Sequence, residues 1–119
     1  MDAMKRFGEA FNRQDLDAVL AAMTDDCVLE SSFPQPDGTI CKGKDAVRAQ
    51  WQGLFSGPTK AVFETEEIFA VGDRCVFRWI CRWVDKDGEP RRLRGMDLIR
   101  IRDGKVAEKL VYAKANPYL

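Results

Sequence analysis

The sequence predicts an α+β fold, with helices gathered on one side of a curved, mainly antiparallel sheet. Two observations predict it. Apolar residues recur at helical spacing through the first half of the chain. From Ala61 onward they alternate in long runs separated by very short connections. Connections that short require antiparallel neighbours, and helices segregated from strands in this way define the α+β class.

Each element has its own warrant. Met4, Phe7 and Phe11 recur at helical spacing, so residues from about Asp2 to Arg13 are expected to form an amphipathic helix. Asp15 suits the N-cap of a second helix carrying Leu16, Val19, Leu20 and Met23, stopped at Thr24-Asp25-Asp26. Cys27–Ser32 then reads as a strand, and Phe33–Lys42, with Pro34, Pro36 and Asp37-Gly38, as a loop. A third helix spans about Lys44 to Phe55, with Val47, Trp51, Leu54 and Phe55 as its apolar stripe, and Ser56-Gly57-Pro58 ends it. Four strands follow: Ala61–Val71, Arg74–Val84, Arg91–Arg102 and Lys105–Ala115. Gly72-Asp73, Asp85–Pro90 and Asp103-Gly104 separate them.

Composition narrows the function. The 119 residues read as one domain, 1–119, long enough to bury a core. Nineteen basic and 19 acidic residues leave no net charge, which argues against nucleic-acid binding or an acidic membrane surface. No apolar run approaches the roughly 18 residues of a membrane span, and no signal peptide is visible at Met1–Asn12, so a soluble, cytoplasmic protein is expected. Histidine is absent, which excludes Ser-His-Asp and Cys-His catalysis. Cys27, Cys41, Cys75 and Cys81 show no Cys-x-x-Cys spacing and read as reduced core residues. Neither a metal nor a cofactor is expected.

One ionisable residue is out of place. In the strand Arg91–Arg102, Leu93, Asp97, Ile99 and Ile101 share one face with Gly95, while the arginines fall mostly on the other. A carboxylate in an apolar row must find a partner, take up a proton, or face a cavity with some water. In the preceding strand, Phe77, Trp79, Cys81 and Trp83 share a face that can meet the helices. Val76, Arg78, Ile80 and Arg82 share the other, and Met96 and Leu98 also sit among arginines. A second copy of the chain would cover such a mixed face, so a homodimer is expected.

Several stretches resemble the SnoaL-like branch of the nuclear transport factor 2-like superfamily. They are the helix pair followed by Asp25-Asp26-Cys27-Val28-Leu29-Glu30, the helix start Gly43-Lys44-Asp45-Ala46-Val47-Arg48 with Trp51, and the run from Met96 to Val106. The resemblance implies a cone-shaped fold around a deep pocket, and a dimer. It implies activities such as those of ketosteroid isomerases, polyketide cyclases and epoxide hydrolases, beside pocketed proteins with no known reaction. Asp97 falls where the isomerases keep a protonated aspartic acid as hydrogen-bond donor. Their phenol would fall at Phe7 and their general-base aspartate at Ser31, so one group of three is kept.

The partner of Asp97 depends on a turn. A two-residue turn at Asp103-Gly104 places Asp97 opposite Leu110, with Glu108 on its face. A three-residue loop, with Gly104 left-handed in a bulge, places it opposite Lys109. The resemblance favours the loop, which puts Ala107, Lys109, Val111 and Ala113 inside and Glu108, Leu110 and Tyr112 outside. Asp97 and Lys109 then form a charged pair at the floor of an aromatic pocket. The pair could work as an acid/base group beside an ammonium that holds a carbonyl oxygen. An ion pair that satisfies only itself is the plainer alternative.

Phe7, Phe11, Trp51, Phe55, Trp79 and Trp83 are expected in the core first and as ligand wall second, with Val111 beside them. Ser31 and Phe33 precede a Pro-rich loop placed to cap the mouth. Glu64, Glu66 and Glu67 make a salt-bridged outer face a better account of Arg91, Arg92 and Arg94 than anion binding. The expectation is a pocket for a small apolar or carbonyl-bearing organic molecule, with cofactor-free isomerase, cyclase or hydrolase chemistry through Asp97. The rival is a non-catalytic binding or assembly module.

Overall fold

The computed structural model describes residues 2–56 and 61–114. Helices α1 (Asp2–Asn12), α2 (Leu16–Ala21) and α3 (Lys44–Phe55) pack on a six-stranded sheet. The strands are β1 (Met23–Glu30), β2 (Ile40–Lys42), β3 (Val62–Val71), β4 (Arg74–Val84), β5 (Pro90–Arg102) and β6 (Lys105–Lys114). Their spatial order, β2-β1-β6-β5-β4-β3, leaves the sheet open rather than closed. Every neighbouring pair is antiparallel except β1 with β6, which run parallel.

The helices follow their sequence signals closely. Met4, Phe7 and Phe11 are buried along one face of α1. The Asp15 carboxylate caps α2 by accepting from the Ala18 N–H at 3.1 Å. At the end of α3 the Ser56 N–H bonds the Gln52 carbonyl at 3.0 Å, while Gly57-Pro58 lies outside the described residues.

Three local expectations need correction. Met23 belongs to β1 and not to α2, so β1 begins four residues before Cys27 and stops at Glu30. A six-residue helix has little stability of its own, and pairing with β6 decides the matter: Met23 pairs with Val106, whose N–H reaches the Ala22 carbonyl at 2.9 Å. Thr24-Asp25-Asp26 is therefore strand, with Asp25 and Asp26 at the surface facing Lys44 and Arg102. Secondly, the expected loop Phe33–Lys42 ends in a short strand, β2, that pairs Cys41 with Leu29 and buries it.

The third correction concerns register. Asp103-Gly104 is a two-residue turn with φ of 56° and 72°, and Arg102 pairs with Lys105. Between the pairs Ile101–Val106 and Arg100–Glu108, β6 carries one extra residue, Ala107. Asp97 consequently lies opposite Val111, and Lys109 opposite Ile99. Neither expected pairing occurs. Lys109, Val111 and Ala113 nonetheless fall on the inward face that the three-residue loop implied, because the bulge at Ala107 restores their parity, while Val106, opposite Ile101, is buried in the core as well.

The core lies between helices and sheet, where Val19, Met23, Cys27, Val47, Ile99 and Val106 are fully buried. All four cysteines are free and buried. On the outer face, Arg82 pairs with Glu64, Arg94 with Glu66, and Arg78 with Glu66 and Glu67. Ile80 lies under this layer, buried although it points away from the helices. Among the described residues, no helix is long and apolar enough to cross a membrane.

Candidate functional site

Strand alternation brings three inward-facing side chains together on β4, β5 and β6. Trp79 stands opposite Gly95, two residues before Asp97, and Lys109 is a diagonal neighbour of Asp97 across β5 and β6. The Trp79 Nε1–H donates to Asp97 Oδ1 at 3.0 Å. Lys109 Nζ lies 3.4 Å from Asp97 Oδ2. Both carboxylate oxygens thus have a donor. All three residues are buried, Asp97 to 2% exposure and Lys109 to 7%.

The ammonium has further company. Lys109 Nζ sits 4.9 Å from the centre of the Phe11 ring, 5.3 Å from that of Trp51 and 5.8 Å from that of Phe7. Each contact is within cation–π range. The helical spacing of α1 sets Phe7 and Phe11 side by side, and α3 brings Trp51 edge-on to Phe11, with ring centres 5.3 Å apart. The buried charge is therefore held by one carboxylate and three aromatic faces.

A cavity of about 520 Å³ reaches this group. Asp97, Lys109, Trp79, Trp51, Phe7 and Phe11 form its buried end, with Val111 beside them. Polar and exposed side chains, among them Lys5, Glu9, Asn12 and Gln50, ring its open end. Ser31 and Phe33 also lie there, and Phe33 is half exposed. The Ser31 hydroxyl is engaged inside its own loop, donating to the Phe33 carbonyl at 2.9 Å and accepting from the Thr39 N–H at 3.2 Å.

Two expected wall residues lie elsewhere. Phe55 packs edge-on behind Phe11, with ring centres 5.1 Å apart, and does not reach the cavity. Trp83 stands opposite Arg91, four residues beyond Trp79 and past the cavity lining. Phe63, Ile68 and Phe77 line the wall although sequence reasoning did not single them out. Phe63 and Ile68 are five residues apart, which strict alternation assigns to opposite faces. One extra residue in β3, between Thr65 and Glu67, turns both inward. Phe77 was in plain view in the aromatic row of β4, directly opposite Asp97.

Other reactive groups are poorly placed. Burial pushes the Cys81 thiol up to about 11 and raises Cys27 and Cys75 as well, which suppresses the nucleophilic thiolate. Among the described residues, no three His, Cys, Asp or Glu side chains converge as metal ligands.

An open, mainly antiparallel sheet with three helices on one face and a cavity between them defines a cone-shaped α+β protein. Residues 4–109 match the SnoaL-like domain, and the chain belongs to that family. A nuclear transport factor 2-like protein of unknown function from Mesorhizobium loti is 33% identical, with a TM-score of 0.79 over 96% of this chain and 89% of that one. A Mycobacterium tuberculosis protein in complex with estradiol-17β-hemisuccinate is 24% identical, with a TM-score of 0.77 over 98% and 92%. An epoxide hydrolase from the same organism is 18% identical, with a TM-score of 0.77 over 95% and 80%. None of the curated proteins matches the chain.

Proposed function

We propose that this chain binds a small, largely apolar organic molecule carrying a carbonyl-type oxygen, and that this oxygen meets Lys109. The observation that carries the reading is the Lys109–Asp97 pair at the buried end of an aromatic-walled cavity. The volume is within the usual range for small-molecule sites, and an apolar wall with a few convergent polar groups is how such sites fix orientation. Lys109 is the natural contact, because one Asp97 oxygen already accepts from Trp79 and the other is paired with the Lys109 ammonium. At the level of the fold, the neighbours that hold a steroid ester or hydrolyse epoxides are consistent with this ligand class.

Turnover, if it accompanies binding, runs without a cofactor as isomerisation, cyclisation or hydrolysis, with Lys109 polarising the oxygen and Asp97 as the base within the pair. Binding without chemistry is the second reading. One observation favours it: neither Asp97 oxygen is free of a donor. The reading also makes the protein a cytoplasmic homodimer, in keeping with four free cysteines and with apolar side chains on the outer sheet face.

Intrinsic fluorescence tests the ligand claim, because Trp51 and Trp79 line the cavity. Titration with bicyclic aromatic ketones and their parent hydrocarbons should show the ketones about tenfold tighter, the worth of one hydrogen bond to a charged donor. Lys109→Met should erase the difference. Equal affinity for ketone and hydrocarbon in the unmodified chain would remove the contact to Lys109, and no binding of either would remove the ligand reading.

A further inference from the structure

Lys109 is more than a donor at the end of a cavity. Three aromatic faces within 6 Å of one ammonium, closed by a carboxylate, are the elements of a recognition site for an organic cation. Here the chain fills that site with its own side chain. We infer that Lys109 is a resident cation occupying an organic-ammonium site built by Phe7, Phe11, Trp51 and Asp97, and that it thereby bars amines from the cavity. This inference rests on the reading of the cavity as a ligand site.

Charge balance supports it. The Asp97–Lys109 pair is neutral as a unit and buried. A cationic ligand reaching it would leave a net positive charge away from water, and an anionic ligand a net negative one, each at a substantial desolvation cost. A neutral ligand leaves the balance unchanged. Hydrogen bonding points the same way. Each Asp97 oxygen already faces one donor, and the Lys109 N–H bonds not aimed at Asp97 add further donor capacity to this group. A cationic amine brings more positive charge against the Lys109 ammonium.

The consequence is a reversal of selectivity when the lysine charge is removed. In Lys109→Met the aromatic site loses its cation and Asp97 its counter-charge, so the same walls should accept a tertiary or quaternary ammonium. The probes are 1-tetralone, which is neutral, and benzyltrimethylammonium chloride, with sodium chloride as ionic control. Fluorescence titration of the unmodified chain should show binding of tetralone and none of the ammonium. Lys109→Met should bind the ammonium at least about tenfold more tightly than the unmodified chain does. Adding Asp97→Asn should abolish that gain.

Lys109→Met leaves a buried carboxylate without its cation and is expected to lose stability. Refolding from urea therefore supplies a second readout. Benzyltrimethylammonium should raise the refolded yield and melting temperature of this variant above those in equimolar sodium chloride, with no such effect on the unmodified chain.

Binding of the ammonium by the unmodified chain as well as by Lys109→Met overturns the inference. So does a Lys109→Met chain that neither binds the ammonium nor is rescued by it, while the unmodified chain still takes tetralone; the ligand reading then survives alone. Gain of ammonium binding in the variant, with no ketone binding in the unmodified chain, sustains the resident cation and overturns the ketone ligand instead.

Discussion

A Cβ built on Gly95 would stand 2.5 Å from the Trp79 ring and 2.8 Å from the Tyr112 carbonyl oxygen, so this glycine lets the indole lie against β5 and donate to Asp97. Gly95→Ala must displace a large buried ring or the backbone. The expected cost is about 1–3 kcal/mol, typical of overpacking, in urea unfolding. The Trp79 indole N–H should also move in the NMR spectrum and exchange faster with solvent. An unchanged indole signal would show that the methyl is accommodated some other way. At this scale the site was partly legible. Asp97 and Lys109 stand out because a charge in an apolar row has no local explanation. The role of Trp79 does not, because an indole among aromatic residues reads as core until its N–H is seen to have a buried acceptor.

Turns at the level of single elements show the same division. Asp85 organises the β4–β5 connection: Oδ1 accepts from the backbone N–H of Asp87 and of Glu89, each at 2.9 Å, and Oδ2 meets Arg91 at 2.9 Å. The bond from Glu89, then the Arg91 side chain, hold its carboxyl below the ordinary carboxylate value. A depressed folded-state value means that this stabilisation is present above the unfolded value of about 3.9 and is lost as pH falls through the folded one. Asp85→Asn retains an acceptor for the backbone but cannot titrate. Its stability should vary less steeply below about pH 4 than that of the unmodified chain, in urea midpoints measured across that range. Identical slopes would remove Asp85 from the acid response. The four long strands were legible to within a residue at their described ends, since each runs for ten or more residues between short turn signals, and the expected end at Ala115 lies outside the described residues. The bulges at Glu66 and Ala107 were not, because an inserted residue carries no compositional mark and acts only through the partner strand. Strand β2 is three residues long, too short for any period to show.

Across the whole molecule, the outer sheet face is the largest feature that the cavity does not explain. Phe69 and Tyr112 are about half exposed there and Val71 is 74% exposed, while Met96 and Leu98 are half-buried between arginines. Self-association through this face predicts a species of twice 13.5 kDa in sedimentation equilibrium, and Tyr112→Glu should shift it toward the monomer. A monomer at every concentration, with Tyr112→Glu no different, would leave this face without a role in pairing. The general architecture was legible because helical and alternating periods occupy separate halves of the chain. The parallel junction of β1 with β6 was not, since no local signal joins residues about 80 positions apart. That junction also orders events in time. A ribosome releases α1, α2 and β1 well before β6, the strand that β1 joins in parallel. Phe7, Phe11 and Trp51 must wait likewise for Lys109. The nascent first half therefore holds these apolar side chains without their sheet partners until β6 emerges.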